Sequence, residues 1–348
     1  MKKPSRMMSK NNSSRGIKHH VRTAIAKTGV MRLAVHAAPA SIAILRYHSV
    51  QEDRARFGNS IGEAIIHSLA TFRQQMETVA VQFDPVSMDD ALLFLGGERS
   101  LPRRPVVVTF DDGFGDNAEL AAPVLDRLGI PATFYVTVNP VDSSQPPWFC
   151  RLRHAFATTQ KKTWFDSIED STRNLEKAPE RKAAFLVASE RCAQKTAAAQ
   201  NDALQLIEEE LEVEPFAPGE RFMMSWEQVR SLRKTGHIVG SHTLSHPNLA
   251  HITKRELAEE CRESKKRLEA EMGAEVIHFS YPSPILQPHW TERTITATED
   301  CGYQTAVTST AGVVRGDSNP FHLQRMAVPH DQDEFLWTLQ CTLLGRRM

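Results

Sequence analysis

The sequence predicts an α/β fold with a largely parallel sheet, either a βα barrel or a layered arrangement. Short apolar or β-branched runs recur along the chain, and helical patterns of apolar residues separate several of these runs. Strands that alternate with helices form parallel sheets, which carry their chemistry at the carboxyl ends of the strands. The predicted strands are residues 42–47, 79–83, 106–110, 132–138, 237–240, 276–281 and 303–308, and the clearest helical patterns are residues 116–128, 226–234 and 254–272.

One long segment interrupts this alternation. Residues 141–220 contain no strand pattern, but a charged, alanine-rich helical stretch runs over residues 175–212. An insertion of this size between strands is typical of a lid, a substrate wall or an oligomer contact, and the sequence does not choose among them. We therefore expect one domain over residues 41–348 with a helical insertion at about 141–220.

The first 40 residues have a different charge pattern from the rest of the chain. No acidic residue precedes Glu52, whereas Lys and Arg recur from Lys2 onward. We expect a solvated basic extension over residues 1–40 with a short amphipathic helix around residues 21–35. Peripheral contact with an anionic membrane surface is the alternative use of this extension.

Composition excludes several classes of protein. The 348 residues have a formal net charge of +0, so the whole chain lacks the basic footprint of a nucleic-acid-binding protein. The five cysteines are odd in number and scattered, which indicates reduced thiols and not a disulfide framework. No run approaches the roughly 20 apolar residues of a spanning helix, and no stretch has the pattern of a signal peptide. We expect a cytoplasmic protein.

The first residues suited to catalysis are Asp111 and Asp112, in the TFDDG segment at residues 109–113, directly after three valines. Two adjacent carboxylates at the end of a buried strand do not both ionise cheaply unless a cation or a partner separates their roles. One carboxylate on a metal ion and the other acting as a base is the natural division. Asp-Asp-Gly is also common in turns, so this segment alone is a weak indication.

The second group is His242 and His246, in the SHTLSH segment at residues 241–246. The two histidines are four residues apart, as on one face of a helical turn, and they follow a predicted strand. Such pairs are frequent in zinc sites, although a structural pair is the alternative. No glutamate lies between them, so a catalytic base would come from elsewhere.

The two segments together supply two imidazoles, one carboxylate ligand and a spare carboxylate. Three nitrogen or oxygen ligands with one open position are the arrangement of a hydrolytic metal centre, which lowers the pKa of its bound water to about 7. We therefore assign Asp112, His242 and His246 as ligands of one divalent metal ion. Asp111 is then the general base that takes a proton from the water.

TFDDG and SHTLSH together resemble the paired signature of the polysaccharide deacetylase family, also called the NodB-homology domain. Further stretches are similar to the family at residues 131–136, 236–240 and 279–282, and the resemblance covers roughly residues 42–328 without the insertion. It implies a distorted (β/α)7 barrel, a divalent metal ion, usually zinc, held by Asp-His-His, and removal of acetyl groups from N-acetylhexosamines. Matched residue by residue, it also implies that Asp111 is the base and Asp112 a ligand.

The FSYP stretch at residues 279–282 departs from the family pattern. In the family an aromatic residue and a glycine often follow Tyr-Pro and an arginine sometimes precedes it, whereas here Ser283 and Pro284 follow and no arginine precedes. The group that orients Asp111 is therefore not identified, and Arg325 is a candidate substitute. The resemblance implies that the backbone N–H of Tyr281 contributes to an oxyanion hole.

Two histidines are candidates for the general acid that protonates the departing amine. His48 closes the first predicted strand, in LRYHSV at residues 45–50, and resembles the opening motif of a deacetylase subgroup. His330 lies where more typical members carry a late Leu-x-His motif. We favour His48, because its strand is the better barrel candidate; for either histidine a structural role is the alternative.

We therefore expect a metal-dependent hydrolase that removes acetyl groups from N-acetylated or O-acetylated carbohydrate, such as an N-acetylhexosamine-containing glycan or glycolipid precursor. Two alternatives keep the same fold. One is hydrolysis of a non-carbohydrate amide or cyclic imide at the same site, and the other is a non-catalytic module that binds glycan. The intact pair Asp111 and Asp112, together with both histidines, favours an enzyme, because a binding module has no physical need for them.

Overall fold

The computed structural model describes residues 24, 26, 30–217 and 222–346. The strands in this part of the chain are β1 (Ala43–Tyr47), β2 (Ser49–Gln51), β3 (Ile66–Ser68), β4 (Asp84–Pro85), β5 (Pro105–Phe110), β6 (Ala132–Val136), β7 (Thr163–Asp166), β8 (Ser171–Asn174), β9 (Ile238–Ser241), β10 (His278–Ser280), β11 (Thr305–Val307) and β12 (Met326–Ala327). The α-helices are Val30–Ala37, Leu69–Gln82, Met88–Leu95, Ala122–Leu128, Val138–Ser143, Trp148–Thr158, Ala178–Ala193, Ala197–Glu210, Trp226–Lys234, Lys254–Met272, Glu292–Asp300 and Gln332–Leu343.

The main sheet is parallel and curled. Its strands follow the order β11-β10-β9-β6-β5-β1-β12, and β4 pairs beside β5. A parallel bridge between Val307 and Leu323 joins β11 to the segment that leads into β12, so the two ends of the sheet meet on one stretch of chain. Helices surround this sheet, which confirms the predicted α/β fold of the distorted-barrel type.

Alternation along the strands places the site inside the barrel. Successive side chains of a strand point to opposite faces, and on one face Ile44, Val107 and Tyr135 form a small apolar cluster. Arg46 lies on the same face of β1, two residues after Ile44. Thr109 lies on the same face of β5, two residues after Val107. The next inward positions fall just after the strands end, where the polar residues of the site begin.

The structure corrects the predicted strand at residues 79–83, which forms the end of the helix Leu69–Gln82 and its C-cap. The buried residues of this helix are Phe72, Gln75, Met76 and Val79, which have helical spacing, while Val81 is exposed. The short apolar run at the helix end resembled a strand because periodicity cannot separate short buried elements. Ser68 begins the helix by accepting a hydrogen bond from the backbone N–H of Thr71.

The insertion is a small unit with its own apolar core, formed by residues such as Trp148, Leu152, Phe156 and Trp164. It contains the antiparallel hairpin β7–β8, where no strand was predicted. The predicted helical stretch at 175–212 forms two helices, which are separated at residues 194–196. The insertion therefore has an apolar core of its own beside that of the barrel.

The N-terminal helix prediction is tested only in part. Residues 21–23, 25 and 27–29 lie outside the described residues, and the helix Val30–Ala37 overlaps the end of the predicted range. No helix in the described part of the chain combines the length and the apolar character needed to cross a membrane.

Candidate active site

Asp111 and Asp112 lie at the carboxyl end of β5, in the centre of the sheet. Both side chains are almost completely buried, with 3% of each residue exposed. The backbone N–H of Asp111 donates to the carbonyl of Tyr47, which ties this turn to the end of β1. Asp112 has a positive φ of 78°, and Gly113 continues the turn at 87°. Aspartate is one of the few residue types that tolerate this region. The turn points the two neighbouring carboxylates in different directions, that of Asp111 towards Arg325 and that of Asp112 towards His242.

His242 and His246 follow β9, two strands from β5 in the sheet. The segment that carries them is a loop and not the helical turn suggested by their spacing, because Thr243 and His246 have positive φ values of 70° and 59°. Non-glycine residues in this conformation cost free energy and often mark functional sites. The two imidazole centroids are 4.9 Å apart. The loop therefore brings both rings together without a helix.

Three side chains from these two segments converge. The Nε2 atoms of His242 and His246 lie 3.5 Å and 3.4 Å from the same oxygen, Oδ1 of Asp112. Tetrahedral ligands about 2.0–2.1 Å from a zinc ion lie about 3.3–3.4 Å from one another. The donor set and its spacing therefore fit one divalent metal ion, and no other cluster of this kind occurs among the described residues.

A hydrogen bond fixes which ring nitrogen of His242 faces Asp112. Its Nδ1 lies 2.7 Å from the backbone carbonyl of Ser280, which requires a proton on Nδ1 and leaves Nε2 free to bind metal. Burial is the main cause that lowers the pKa of His246 to about 3, and the nearby His242 acts in the same direction. This imidazole is therefore neutral, as a histidine that binds a metal ion must be. The carbonyl of His246 accepts a hydrogen bond of 3.0 Å from Nε1 of Trp148 in the insertion.

Glu260 holds the histidine loop, and the sequence did not reveal this role. The stretch 255–267 is strongly charged, a pattern typical of a solvated helix face, but Glu260 within it is only 2% exposed. Its carboxylate accepts hydrogen bonds from the backbone N–H groups of Leu244 at 2.8 Å and Ser245 at 3.0 Å, and from the Ser245 hydroxyl. This carboxylate thereby satisfies the donors of a loop that lacks regular backbone pairing.

Arg325 is the partner of Asp111. Its Nη1 and Nη2 donate to Oδ1 and Oδ2 of Asp111 at 2.8 Å and 2.7 Å, a bidentate pair. The remaining N–H groups donate to the carbonyl of Thr308 and to the hydroxyls of Thr109 and Ser280. Burial opposes ionisation of Asp111, but the Arg325 charge outweighs it and holds the pKa of this carboxyl far below its usual value.

His48 lies in the same cavity as the two aspartates, whereas His330 does not. The cavity has a volume of about 340 Å³. Burial lowers the pKa of His48 to about 4, with Asp112 and Asp111 acting in the opposite direction. The Nε2 of His330 is 3.2 Å from the carbonyl of Ala64, and its ring packs against His67. The residues that line the cavity are Arg46, His48, Ile61, Ile65, Asp111, Asp112, Trp148, Phe149, Arg153, Phe185, Ser189, His242, His246, Ser283, Pro284 and Ile285.

Buried polar contacts hold the segment after His48. Asp116 accepts hydrogen bonds from the Ser49 hydroxyl at 2.6 Å, the Val50 backbone N–H at 3.1 Å and the Gln51 amide. The side-chain amide of Asn117 donates to the backbone carbonyl of His48 at 2.7 Å. These contacts hold the backbone of His48 and of the three residues that follow it.

The structure corrects the role expected of Tyr281. Its backbone N–H donates to the carbonyl of Val307 at 3.1 Å, as part of the pairing between neighbouring segments, and its hydroxyl donates to the carbonyl of Phe321. Tyr281 is 1% exposed and is not part of the cavity wall. An N–H that is already bonded cannot serve an oxyanion, so Tyr281 is a packing residue. Ser283, between two prolines, is the part of this stretch that reaches the cavity wall.

Comparisons with known proteins agree with this geometry. The family model described as polysaccharide deacetylase matches residues 98–306, which is more than half of the chain and includes both motifs. The putative polysaccharide deacetylase YxkH of Bacillus subtilis is 21% identical over 291 residues, which cover 83% of this chain and 72% of that protein.

Two solved structures share the fold over most of the chain. The Streptococcus pyogenes deacetylase PplD, in complex with acetate, has a TM-score of 0.58 and 16% identity, with 87% of this chain and 99% of that chain covered. IcaB from Ammonifex degensii has a TM-score of 0.55 and 21% identity, with 87% and 98% covered. On the family match over residues 98–306, the chain belongs to the polysaccharide deacetylase family and is an enzyme that hydrolyses acetyl groups from carbohydrate.

Proposed function

We propose that this protein removes the N-acetyl group of a hexosamine unit with one zinc ion held by Asp112, His242 and His246. The observation that carries the proposal is the convergence of these three buried ligand atoms within 4.8 Å of one another. A divalent ion bound there supplies Lewis acidity, which acidifies water and polarises an acyl oxygen. The family to which the chain belongs is typically metal-dependent, in agreement with this donor set.

Asp111 acts in this proposal as the general base. Its carboxylate is on the cavity wall beside Asp112, and the bidentate contact with Arg325 fixes its orientation and keeps it ionised. An ionised, immobile carboxylate next to the metal ligands is suited to take a proton from water as it attacks the acetyl carbon.

His48 acts as the general acid that protonates the departing amine. The imidazole is neutral before reaction, because burial lowers its pKa to about 4. Negative charge that develops on the acyl oxygen during attack favours the imidazolium, as the nearby Asp111 and Asp112 already do. His48 therefore gains proton affinity as the attack proceeds, so that it receives the proton that Asp111 took from the water and passes it to the departing amine nitrogen as the C–N bond breaks.

Acetate release tests the function directly. We expect about one zinc ion per chain by elemental analysis and equimolar acetate and free amine from short N-acetylglucosamine oligomers. Chelation removes both the ion and the activity, and added zinc or cobalt restores them. A parallel series with O-acetylated sugars separates amide from ester hydrolysis. A chain that binds a stoichiometric metal ion and releases no acetate from any acetylated sugar would contradict the proposal.

Substitution of His48 tests the general acid. We expect His48→Gln to lower kcat by roughly 10²-fold or more, the usual contribution of a positioned proton donor, with metal content unchanged. His330→Gln serves as the matched control and retains kcat close to wild type, because His330 lies outside the cavity wall. A large loss in His330→Gln with normal activity in His48→Gln would reverse the assignment.

Substitution of Glu260 tests the support of the histidine loop. We expect Glu260→Ala to weaken metal affinity by about 10- to 100-fold, because residues that orient metal ligands have effects of this size. The loss of an acceptor shared by two backbone N–H groups also lowers the free energy of unfolding, by about 1–3 kcal/mol. Metal titration and urea denaturation measure the two effects. Glu259→Ala, at an exposed position of the same helix, is the control, and equal behaviour of the two variants would remove Glu260 from the metal centre.

We also propose that the protein functions in a reducing compartment such as the cytoplasm, with peripheral membrane contact through its basic N-terminal residues. All five cysteines are free thiols. The charge pattern before Glu52, which is entirely basic, favours an anionic surface as the contact.

A further inference from the structure

Two arginines on the cavity wall have no acidic partner. Arg46 projects from β1 inside the barrel, and Arg153 projects from the insertion helix Trp148–Thr158. In the described part of the chain, neither guanidinium donates a hydrogen bond to a protein group or lies within 4.0 Å of a carboxylate. The Nε of Arg153 is buried without a partner, and its guanidinium lies 5.1 Å from the ring centroid of Phe185.

The carboxylates of the site do not neutralise these arginines. Asp111 and Asp112 attract Arg46 through space. However, Asp111 already makes its bidentate contact with Arg325, and Asp112 lies against the two histidines. Burial lowers the pKa of Arg46 to about 10, so the side chain remains a cation near neutral pH. A divalent ion on Asp112 would make the cavity still more positive.

Both arginines are half-buried, and a partly desolvated cation without a counter-charge is costly, so an anionic ligand in the cavity would compensate both of them. The two arginines come from separate elements, the barrel and the insertion, and both face one cavity of about 340 Å³. Guanidinium groups bind the oxygens of phosphate with charge-assisted hydrogen bonds. A phosphate monoester carries a charge of about −1.5 to −2 at neutral pH, which two guanidinium groups can neutralise. A carboxylate, with one negative charge, would leave one of the two guanidinium groups uncompensated.

We propose that the acetylated sugar hydrolysed at this site carries a phosphate group, which Arg46 from the barrel and Arg153 from the insertion bind together. The inference rests on the proposed function and narrows its substrate to a phosphorylated or phosphate-linked N-acetylhexosamine. Barrel and insertion then recognise the substrate jointly, since each contributes one cation.

Competition between substrates tests the inference. The substrates are N-acetylglucosamine 1-phosphate, the neutral methyl glycoside of N-acetylglucosamine, and an N-acetylhexosamine uronate. We expect kcat/KM to favour the phosphate over the neutral glycoside by about ten- to hundredfold, the size of a charge-assisted contact. Arg46→Gln and Arg153→Gln should reduce the ratio of the two kcat/KM values towards one. Arg56 is an exposed arginine outside the cavity, so Arg56→Gln should leave this ratio unchanged. Equal kcat/KM values in the wild type, or a preference for the uronate, would overturn the phosphate assignment.

A binding measurement separates this inference from the proposed function. In an Asp111→Asn background, calorimetry with N-acetylglucosamine 1-phosphate should show an affinity that falls about tenfold or more on adding Arg46→Gln or Arg153→Gln. Phosphate-dependent binding without acetate release from any sugar would end the proposed function and leave the anion site standing. Acetate release from the neutral glycoside, together with unchanged phosphate affinity in the two arginine variants, would support the proposed function and end the anion site. The phosphate of such a substrate belongs either to a nucleotide or to a prenyl lipid. Further measurements with N-acetylhexosamine linked through phosphate to a nucleotide or to a short prenyl chain distinguish these two sources.

Discussion

Replacement of Asp111 by asparagine is expected to lower kcat by roughly 10²- to 10⁴-fold, the range for loss of a general base. Asparagine has nearly the same shape but cannot accept the proton of the attacking water. The candidate metal ligands Asp112, His242 and His246 are unchanged, so the metal content should stay at about one ion per chain. Acetate release and elemental analysis on the same preparation give both quantities.

The neighbouring position supplies the matched control. Asp112→Asn changes the same functional group one residue away, but in our assignment it removes a metal ligand and should lower metal affinity together with activity. Asp111→Asn and Asp112→Asn are therefore expected to separate turnover from metal binding. Full activity in Asp111→Asn with normal metal content would refute the base assignment, and loss of metal in Asp111→Asn alone would exchange the two roles.

The convergence of the two aspartates and the two histidines was predictable because each pair is local in sequence and follows a recognisable strand. Asp111 and Asp112 directly follow β5, and His242 directly follows β9. Parallel strands bring their carboxyl ends to one edge, so two short motifs sufficed to place four side chains near one another. The backbone of the histidine loop was not predictable, since its positive φ values depend on the contacts of Glu260 from a helix further along the chain.

Partners that depend on barrel closure were harder to identify. Arg325 is 214 residues from Asp111 in sequence, and no spacing rule links them. Arg325 lies near Asp111 because β12 pairs with β1 and β1 pairs with β5. The prediction for Tyr281 was wrong for a related reason. Its segment resembles a family motif, but its backbone N–H pairs with an adjacent segment, which only the three-dimensional arrangement reveals.

Arg325→Met is expected to have the largest effect on stability, because it leaves the Asp111 carboxylate buried without its counter-ion. Breaking a buried ion pair from one side costs about 3–5 kcal/mol in the free energy of unfolding. The long apolar side chain of methionine occupies part of the volume, so the cost reflects mainly the uncompensated charge. Urea denaturation measures the loss, and Arg262→Met, in the exposed pair with Glu263, should change stability by less than about 1 kcal/mol.

Two further variants determine whether the charge or the two-point geometry of Arg325 matters. Arg325→Lys keeps a cation but not the fork that contacts both oxygens of Asp111, so we expect partial recovery of stability with kcat still well below wild type. The double variant Asp111→Asn/Arg325→Met removes both charges and should be more stable than Arg325→Met alone, since no ion is left unpaired. Additive losses in the double variant would show that the two residues are not coupled. In that case the orientation of Asp111 would have to come from Ser280, whose hydroxyl also donates to it at 3.2 Å.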